Sequence, residues 1–195
     1  EVKVFEGVDT SGALLEQTLS YYDGAGDWDR PPEAGLETTA ARWLSTPNAF
    51  VQTHTEYDEW GNVVADIDAV GARTEYVFDE TYHLYRVAQT NALGHTTRHT
   101  IDFVCGEPLR TTDANGQVTT HEYDALCRLR ETVAPNGGFE RYGWVDEGDP
   151  ARQYTLLETP GATADDAPQW TRTYLDGNGR TWRTVKRGPD AETGD

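Results

Sequence analysis

Gly71-Ala72-Arg73-Thr74-Glu75-Tyr76-Val77-Phe78-Asp79 and Gly94-His95-Thr96-Thr97-Arg98-His99-Thr100-Ile101-Asp102 say one thing twice. Each opens on a glycine and closes on an aspartate eight residues later. Gly116 with Asp124 and Gly138 with Asp146 repeat the frame, so successive glycines stand 23, 22 and 22 residues apart. Self-similarity at a fixed period of this size indicates a repeat architecture. Between glycine and aspartate, residues alternate. Thr74/Tyr76/Phe78, Thr97/His99/Ile101 and Thr119/His121/Tyr123 fall on one face, as Thr53/Thr55/Tyr57 do before Asp58. Glu75/Val77, Arg98/Thr100, Thr120/Glu122 and His54/Glu56 fall on the other. Period two with β-branched and aromatic residues predicts half-buried strands.

The frame extends to Thr18/Ser20/Tyr22 before Asp23 and Thr171/Thr173/Leu175 before Asp176. Threonine stands five residues before the aspartate in six of seven copies, Arg141 before Asp146 being the exception. Asp58-Glu59-Trp60-Gly61 and Asp176-Gly177-Asn178-Gly179 place Asp first and Gly fourth, as a type I turn prefers. A second strand follows each aspartate, such as Asn62–Ala65, Leu84–Val87 or Arg128–Val133. Asp68–Gly71, Asn91–Gly94, Asp113–Gly116 and Pro135–Gly138 then close the far end as hairpin turns. One repeat is strand, turn, strand, turn. The predicted fold is all-β, an array of consecutive β-hairpins forming a curved, twisted sheet strip.

Three segments are expected. Residues 1–49 are irregular with one strand-turn at Tyr22-Asp23, residues 50–147 hold the regular hairpins, and residues 148–195 hold a loop insertion and a final repeat. Within the first, Gly24–Gly35 reads as a long loop, and Ala40–Leu44 fits a strand or a helical turn. Within the last, Gln153–Leu157 reads as a strand and Thr159–Pro168 as a solvated loop.

The chain has 34 acidic and 16 basic residues, a formal charge of -18 and a mean hydropathy of -0.71. That balance argues against nucleic-acid binding and against attraction to anionic lipid. No apolar run approaches the roughly 18 residues of a membrane span. The start at Glu1 and the absence of Met predict a piece of a longer parent, with any export signal encoded elsewhere. Cys105 and Cys127 each stand three residues after a repeat aspartate. Equivalent points on successive hairpins lie about 9–10 Å apart, beyond the roughly 7 Å Cα limit for a bridge, so free thiols are expected.

These residues resemble the YD-repeat, or Rhs-repeat, family, whose signature is an aromatic, Asp, two residues and Gly. Thr55-Glu56-Tyr57-Asp58-Glu59-Trp60-Gly61-Asn62-Val63 matches it, and His121-Glu122-Tyr123-Asp124 matches its first half. Thr173-Tyr174-Leu175-Asp176-Gly177-Asn178-Gly179-Arg180 looks like the variant of SpvB-like proteins and the B components of insecticidal toxin complexes. Ile101, Val145 and Leu175 replace the aromatic, while Tyr82, Cys105, Cys127 and Asp149 stand where the turn glycine is expected. The repeat-defining residues are thus Tyr22, Asp23, Tyr57, Asp58, Gly61, Gly71, Phe78, Asp79, Gly94, Asp102, Gly116, Tyr123, Asp124, Gly138, Asp146, Asp176 and Gly179. The resemblance implies a segment of a secreted or cell-surface bacterial shell that encapsulates a toxin or other polypeptide cargo. Its partners would be neighbouring repeats of the parent chain, the cargo and other toxin-complex subunits. The alternative is an extracellular glycan- or protein-binding adhesion module.

Chemistry beyond architecture is not expected. An aspartate that recurs once per repeat suits a turn acceptor better than a catalytic acid. His95 and His99, about 13 Å apart on a strand, are too distant to share a metal. Asp23, Asp27 and Asp29, or Asp176-Gly177-Asn178, lack the full ligand set and closing Glu of a calcium loop. Trp28, Trp43, Trp60, Trp144, Trp170 and Trp182 are expected to pack on the sheet rather than to form sugar platforms. No catalytic residue, metal ligand or cofactor is assigned, and no enzyme activity is expected.

Overall fold

The computed structural model describes residues 1–6, 10, 12, 14–45, 48–163 and 166–187. Every regular element is a strand, and the strand order is the chain order. Each pairing is antiparallel, so the architecture is one open meander. The first compact unit, Glu1–Arg98, holds β1 (Val2–Phe5), β2 (Leu14–Tyr22), β3 (Glu37–Leu44), β4 (Ala49–Tyr57), β5 (Val63–Ile67), β6 (Arg73–Phe78) and β7 (Arg86–Thr90). The second, His99–Asp195, holds β9 (Glu107–Thr112), β10 (Val118–Tyr123), β11 (Leu129–Val133), β12 (Phe139–Val145), β13 (Tyr154–Thr159), β14 (Gln169–Leu175) and β15 (Thr181–Lys186). The division falls inside β8 (Thr96–Asp102).

Residues 1–44 are more regular than their sequence suggests. They supply three strands, and Ala40–Leu44 lies in β3. Its neighbours explain the choice, because Ala40, Ala41 and Arg42 are paired on both sides, to β2 and to β4.

The ladders carry a recurring irregularity. Register shifts fall at the residue before the aspartate: between Tyr21 and Tyr22, Glu56 and Tyr57, Val77 and Phe78, Glu122 and Tyr123, and Tyr174 and Leu175. After the shifts at Tyr57, Tyr123 and Leu175 comes a turn whose last residue has positive φ: Gly61 at 84°, Cys127 at 59° and Gly179 at 76°. These are type I turns closed by a left-handed residue that forms a bulge, a standard three-residue hairpin loop.

Among the described residues of each unit, strands contact only their sequence neighbours, so no second layer of strands covers the sheet there. Alternation is visible but shallow. In β6, Thr74, Tyr76 and Phe78 are half-buried while Glu75 and Val77 are exposed. Among the described residues only Leu19, Ala41 and Ala65 are buried hydrophobics, and pairing places them on the face opposite that Thr/aromatic column. Stability therefore rests on ladder hydrogen bonds, cross-strand pairs and turns more than on a core.

Ala65 shows how such a pair works. It lies opposite Glu56 on β4 and Glu75 on β6. Arg73 bridges the two carboxylates, donating from Nη1 and Nη2 to Glu56 at 2.7 and 2.8 Å and from Nε to Glu75 at 2.9 Å. The small methyl is enclosed between them, with none of its surface exposed. An Ala65→Asp substitution would bury a third carboxylate beside two others. We expect it to destabilise the chain by about 2–3 kcal/mol, read as a lower urea midpoint with an unchanged slope.

Candidate functional site: the aspartate turns

All seven repeat aspartates open turns at the same end of their hairpins, between an even-numbered strand and the next. The common geometry appears at Asp58, Asp124 and Asp176. One carboxylate oxygen accepts the backbone N–H groups two and four residues on: Trp60 and Asn62 at 3.0 and 2.8 Å, Leu126 and Arg128 at 2.8 and 3.0 Å, Asn178 and Arg180 both at 2.9 Å. The other oxygen takes the side chain of residue +4, from Asn62 Nδ2 at 3.0 Å, Arg128 Nε at 2.7 Å and Arg180 Nε at 2.8 Å.

Asp79 is the most enclosed carboxylate, 5% exposed. Its Oδ1 accepts from Thr81 and Tyr82 at 3.1 and 2.6 Å, and its Oδ2 accepts from Leu84 and Tyr85 at 3.0 and 2.9 Å. Burial pushes its pKa up, but the four N–H donors outweigh that and hold it far below the ordinary carboxylate range. Asp23 closes the long loop that follows it, accepting from the amides of Glu33, Ala34, Gly35 and Leu36. Those amides, Leu36 foremost, hold its pKa down as well. Asp102 accepts from Val104 and Cys105 at 2.8 and 3.4 Å. Asp146 departs from the group. It is itself left-handed, at φ 52°, and pairs with Arg152, while Asp149 accepts the Ala151 amide.

The opposite ends use the same device, which the repeat frame did not single out. Asp68, Asn91 and Asp113 each accept two amides through Oδ1, at residues +2 and +4. The signal was the Asp/Asn three residues before Gly71, Gly94 and Gly116. The fourth such turn is Ala134-Pro135-Asn136-Gly137. The left-handed residue there is Gly137, at φ 81°, and not Gly138.

The repeat aromatics have a second task. Tyr57 donates its hydroxyl to the Glu37 carbonyl at 2.9 Å, and Tyr123 donates to the Pro108 carbonyl at 3.2 Å. Each tyrosine thereby reaches the strand before its own. Phe78 occupies the equivalent place without a hydroxyl. Histidines pair across strands with threonines: His54 with Thr39, His99 with Thr111 and His121 with Thr132, through Nδ1 at 2.9–3.1 Å. Asp27 accepts the Asp29 amide, and Asp23 is taken up by the loop it closes. Among the described residues, no three His, Cys, Asp or Glu side chains gather as a metal site.

Three expectations are overturned. Cys105 and Cys127 form a disulfide, with Cα atoms 5.2 Å apart. They match in sequence but not in geometry. The Asp124 turn is closed by Cys127 N–H to the Asp124 carbonyl, whereas the Asp102 turn runs one residue longer and closes at Gly106. Cys127 is thus the closing residue of its turn, whereas Cys105 stands one residue before the closing Gly106, next to the start of β9 at Glu107. One strand spacing separates them, not two. Asp79 likewise opens a longer turn, so its left-handed residue is His83 and not Tyr82. The tryptophans, too, are more open than expected: Trp28, Trp60, Trp144 and Trp182 are exposed, because among the described residues of each unit no second layer of strands lies over them. Trp60 stacks on His83 at 3.5 Å, and Arg128 lies 4.8 Å over Trp144.

Residues 106–147 match the family model described as RHS Repeat. The matched stretch begins at Gly106, which closes the Asp102 turn, and ends at Glu147, which pairs with Arg128. It spans β9 to β12, with the Asp124 and Asp146 turns inside it. No curated protein matches the chain. Among solved structures, the crystal structure of TcdB2-TccC3-Cdc42 aligns with 92% of this chain at 13% identity and a TM-score of 0.47. This chain spans 9% of the length of the matched chain.

The carboxylates set the acid limit. Asp23, Asp58, Asp79, Asp124 and Asp176 all have pKa values held below their ordinary 3.8. A depressed carboxylate contributes its full stabilisation above the unfolded value and loses it as pH falls through the folded one. Thermal melts followed by circular dichroism should therefore show stability falling as pH drops below about 4. Asp79→Asn should flatten that fall. At neutral pH, Asp79→Ala should lower Tm more than Asp113→Ala, because four amides lose their acceptor rather than two.

Proposed function

We propose that this chain is a wall segment of a bacterial Rhs-type shell, secreted or at the cell surface, that encloses a polypeptide cargo. The observation that carries the reading is the open meander with almost no core of its own. Consecutive hairpins cover area at about 10 Å per repeat, so few residues make much wall. The pinned turns let hairpins follow one another without a second layer. The RHS repeat within residues 106–147 supports the assignment, and the disulfide suits an oxidising compartment. Partners on this reading are the adjoining repeats of a longer chain, the cargo and other subunits of a toxin complex. The turn carboxylates already accept backbone amides, so the proposed role is architectural and not catalytic.

A second reading, a glycan- or protein-binding module, draws on the exposed rings of Trp28, Trp60, Trp144 and Trp182. Limited proteolysis of the parent protein separates the two. A wall segment should leave an enclosed polypeptide resistant in the intact parent, and Asp79→Ala combined with Asp124→Ala should hasten its cleavage. An enclosed polypeptide cut as fast in the parent as alone would sink the shell reading. Specific binding on a glycan array, lost in Trp60→Ala or Trp182→Ala, would favour the module.

A further inference from the structure

Neighbouring aspartate turns are clasped to one another, each time by different chemistry. In the first unit, Trp60 stacks on His83 and Asn62 Nδ2 donates to the His83 carbonyl at 2.7 Å. In the second unit, the Asp124 turn is tied to the next by Arg128 and Glu147. The turn after that is tied by Gln153, whose Nε2 donates to the Asp176 carbonyl at 2.9 Å. Between the Asp102 and Asp124 turns the clasp is the Cys105–Cys127 disulfide. Of these four, it alone answers to thiols.

We propose that Cys105–Cys127 is a thiol-exchange site. An external monothiol or dithiol opens it in the folded protein and releases the two turns that bracket the β9–β10 hairpin. Three observations converge on it. Cys127 is exposed at a turn tip beside the exposed Leu126, so an attacking thiolate has access. Cys127 also holds φ at 59°, the left-handed conformation that the sister turns give to Gly61 and Gly179. A side chain is disfavoured there, so the bridge sits on a backbone position that does not hold it for its own sake. Finally, the bridge spans 22 residues and encloses one hairpin only. Opening it is local, and the other ladders stay paired.

The chemistry balances with the external thiol as reductant. Its thiolate attacks Sγ of Cys127, the more exposed residue. The protein S–S bond breaks, and its electron pair leaves on Cys105 Sγ, which takes a proton. A second external thiolate attacks the mixed disulfide, forming an external disulfide and freeing the Cys127 thiolate, which is then protonated. Two external thiols are oxidised and one protein disulfide is reduced. The exchange stands on this chain alone. Only its use, loosening a wall on passage from oxidising to reducing surroundings, rests on the shell reading.

The test uses the full 195-residue chain, without denaturant, titrated with millimolar reduced glutathione. Thiols are counted by alkylation and mass spectrometry, and backbone opening is followed by hydrogen exchange. No thiol should be alkylated before glutathione, and both should be alkylated after it. Amides at 103–106 and 125–128 should then exchange on the order of tenfold faster or more, while those of β13 and β14 are unchanged. A Cys105→Ser, Cys127→Ser variant should show the fast exchange without glutathione and no response to it. If that variant does not fold, the wild-type titration decides alone. Alkylation before reductant, a bridge that opens only in denaturant, or opening without faster exchange each overturns the proposal. Failure of the shell reading would register in the parent's proteolysis and leave these readouts untouched.

Discussion

The structure depends on a carboxylate accepting backbone amides at a hairpin end. A type I turn closed by a left-handed residue leaves N–H groups pointing inward, and these need an acceptor within the turn. Asp and Asn supply an oxygen at the right distance, so the turn is closed from within. Repeated at both ends of the hairpins, as at Asp58 and Asp68, this interaction specifies where each strand stops and in what register the next begins. Burial contributes little to that choice, since the few buried hydrophobics do not form a continuous core.

A sheet held in this way must also restrain its hairpins against one another. Ladder bonds do so along the strands, and Arg73 with Glu56 and Glu75 does so across three of them. At the hairpin ends the work passes to the clasps between turns. The residue four after the aspartate has a double task here. Asn62 completes the carboxylate of its own turn and reaches the next turn, and Arg128 does the same through Glu147. Hence a feature that looks like local turn chemistry is also a long-range tie. On the sheet face, Arg172 of β14 over Tyr154 of β13 plays the comparable part.

Much of the fold was legible because its determinants are local. Period-two alternation, Thr five residues before Asp, and Asp or Asn before Gly lie within nine residues of one another. The hairpin frame around Tyr57-Asp58 and Tyr123-Asp124 follows from them. What was hidden turned on single-residue changes in turn length. The Asp79 and Asp102 turns each run one residue longer than that of Asp124, and a constant period conceals this because a strand absorbs the difference. Cys105 therefore looked like the partner of Cys127 in a repeat, two spacings away, when it stands beside the neighbouring strand.

The sequence by itself determined that the chain is a β-meander of hairpins, and that an aspartate recurs once per hairpin at its turn. Those properties depend on backbone conformation and near neighbours, which residue type controls directly. Only the tertiary structure decided the disulfide, the clasps between turns, the strand at Val2–Phe5, the choice of strand for Ala40–Leu44 and the open tryptophans. Each depends on which strands lie side by side and on what, if anything, lies above them. Distances across a sheet are set by register and turn length summed over many residues, and no single residue type carries that sum.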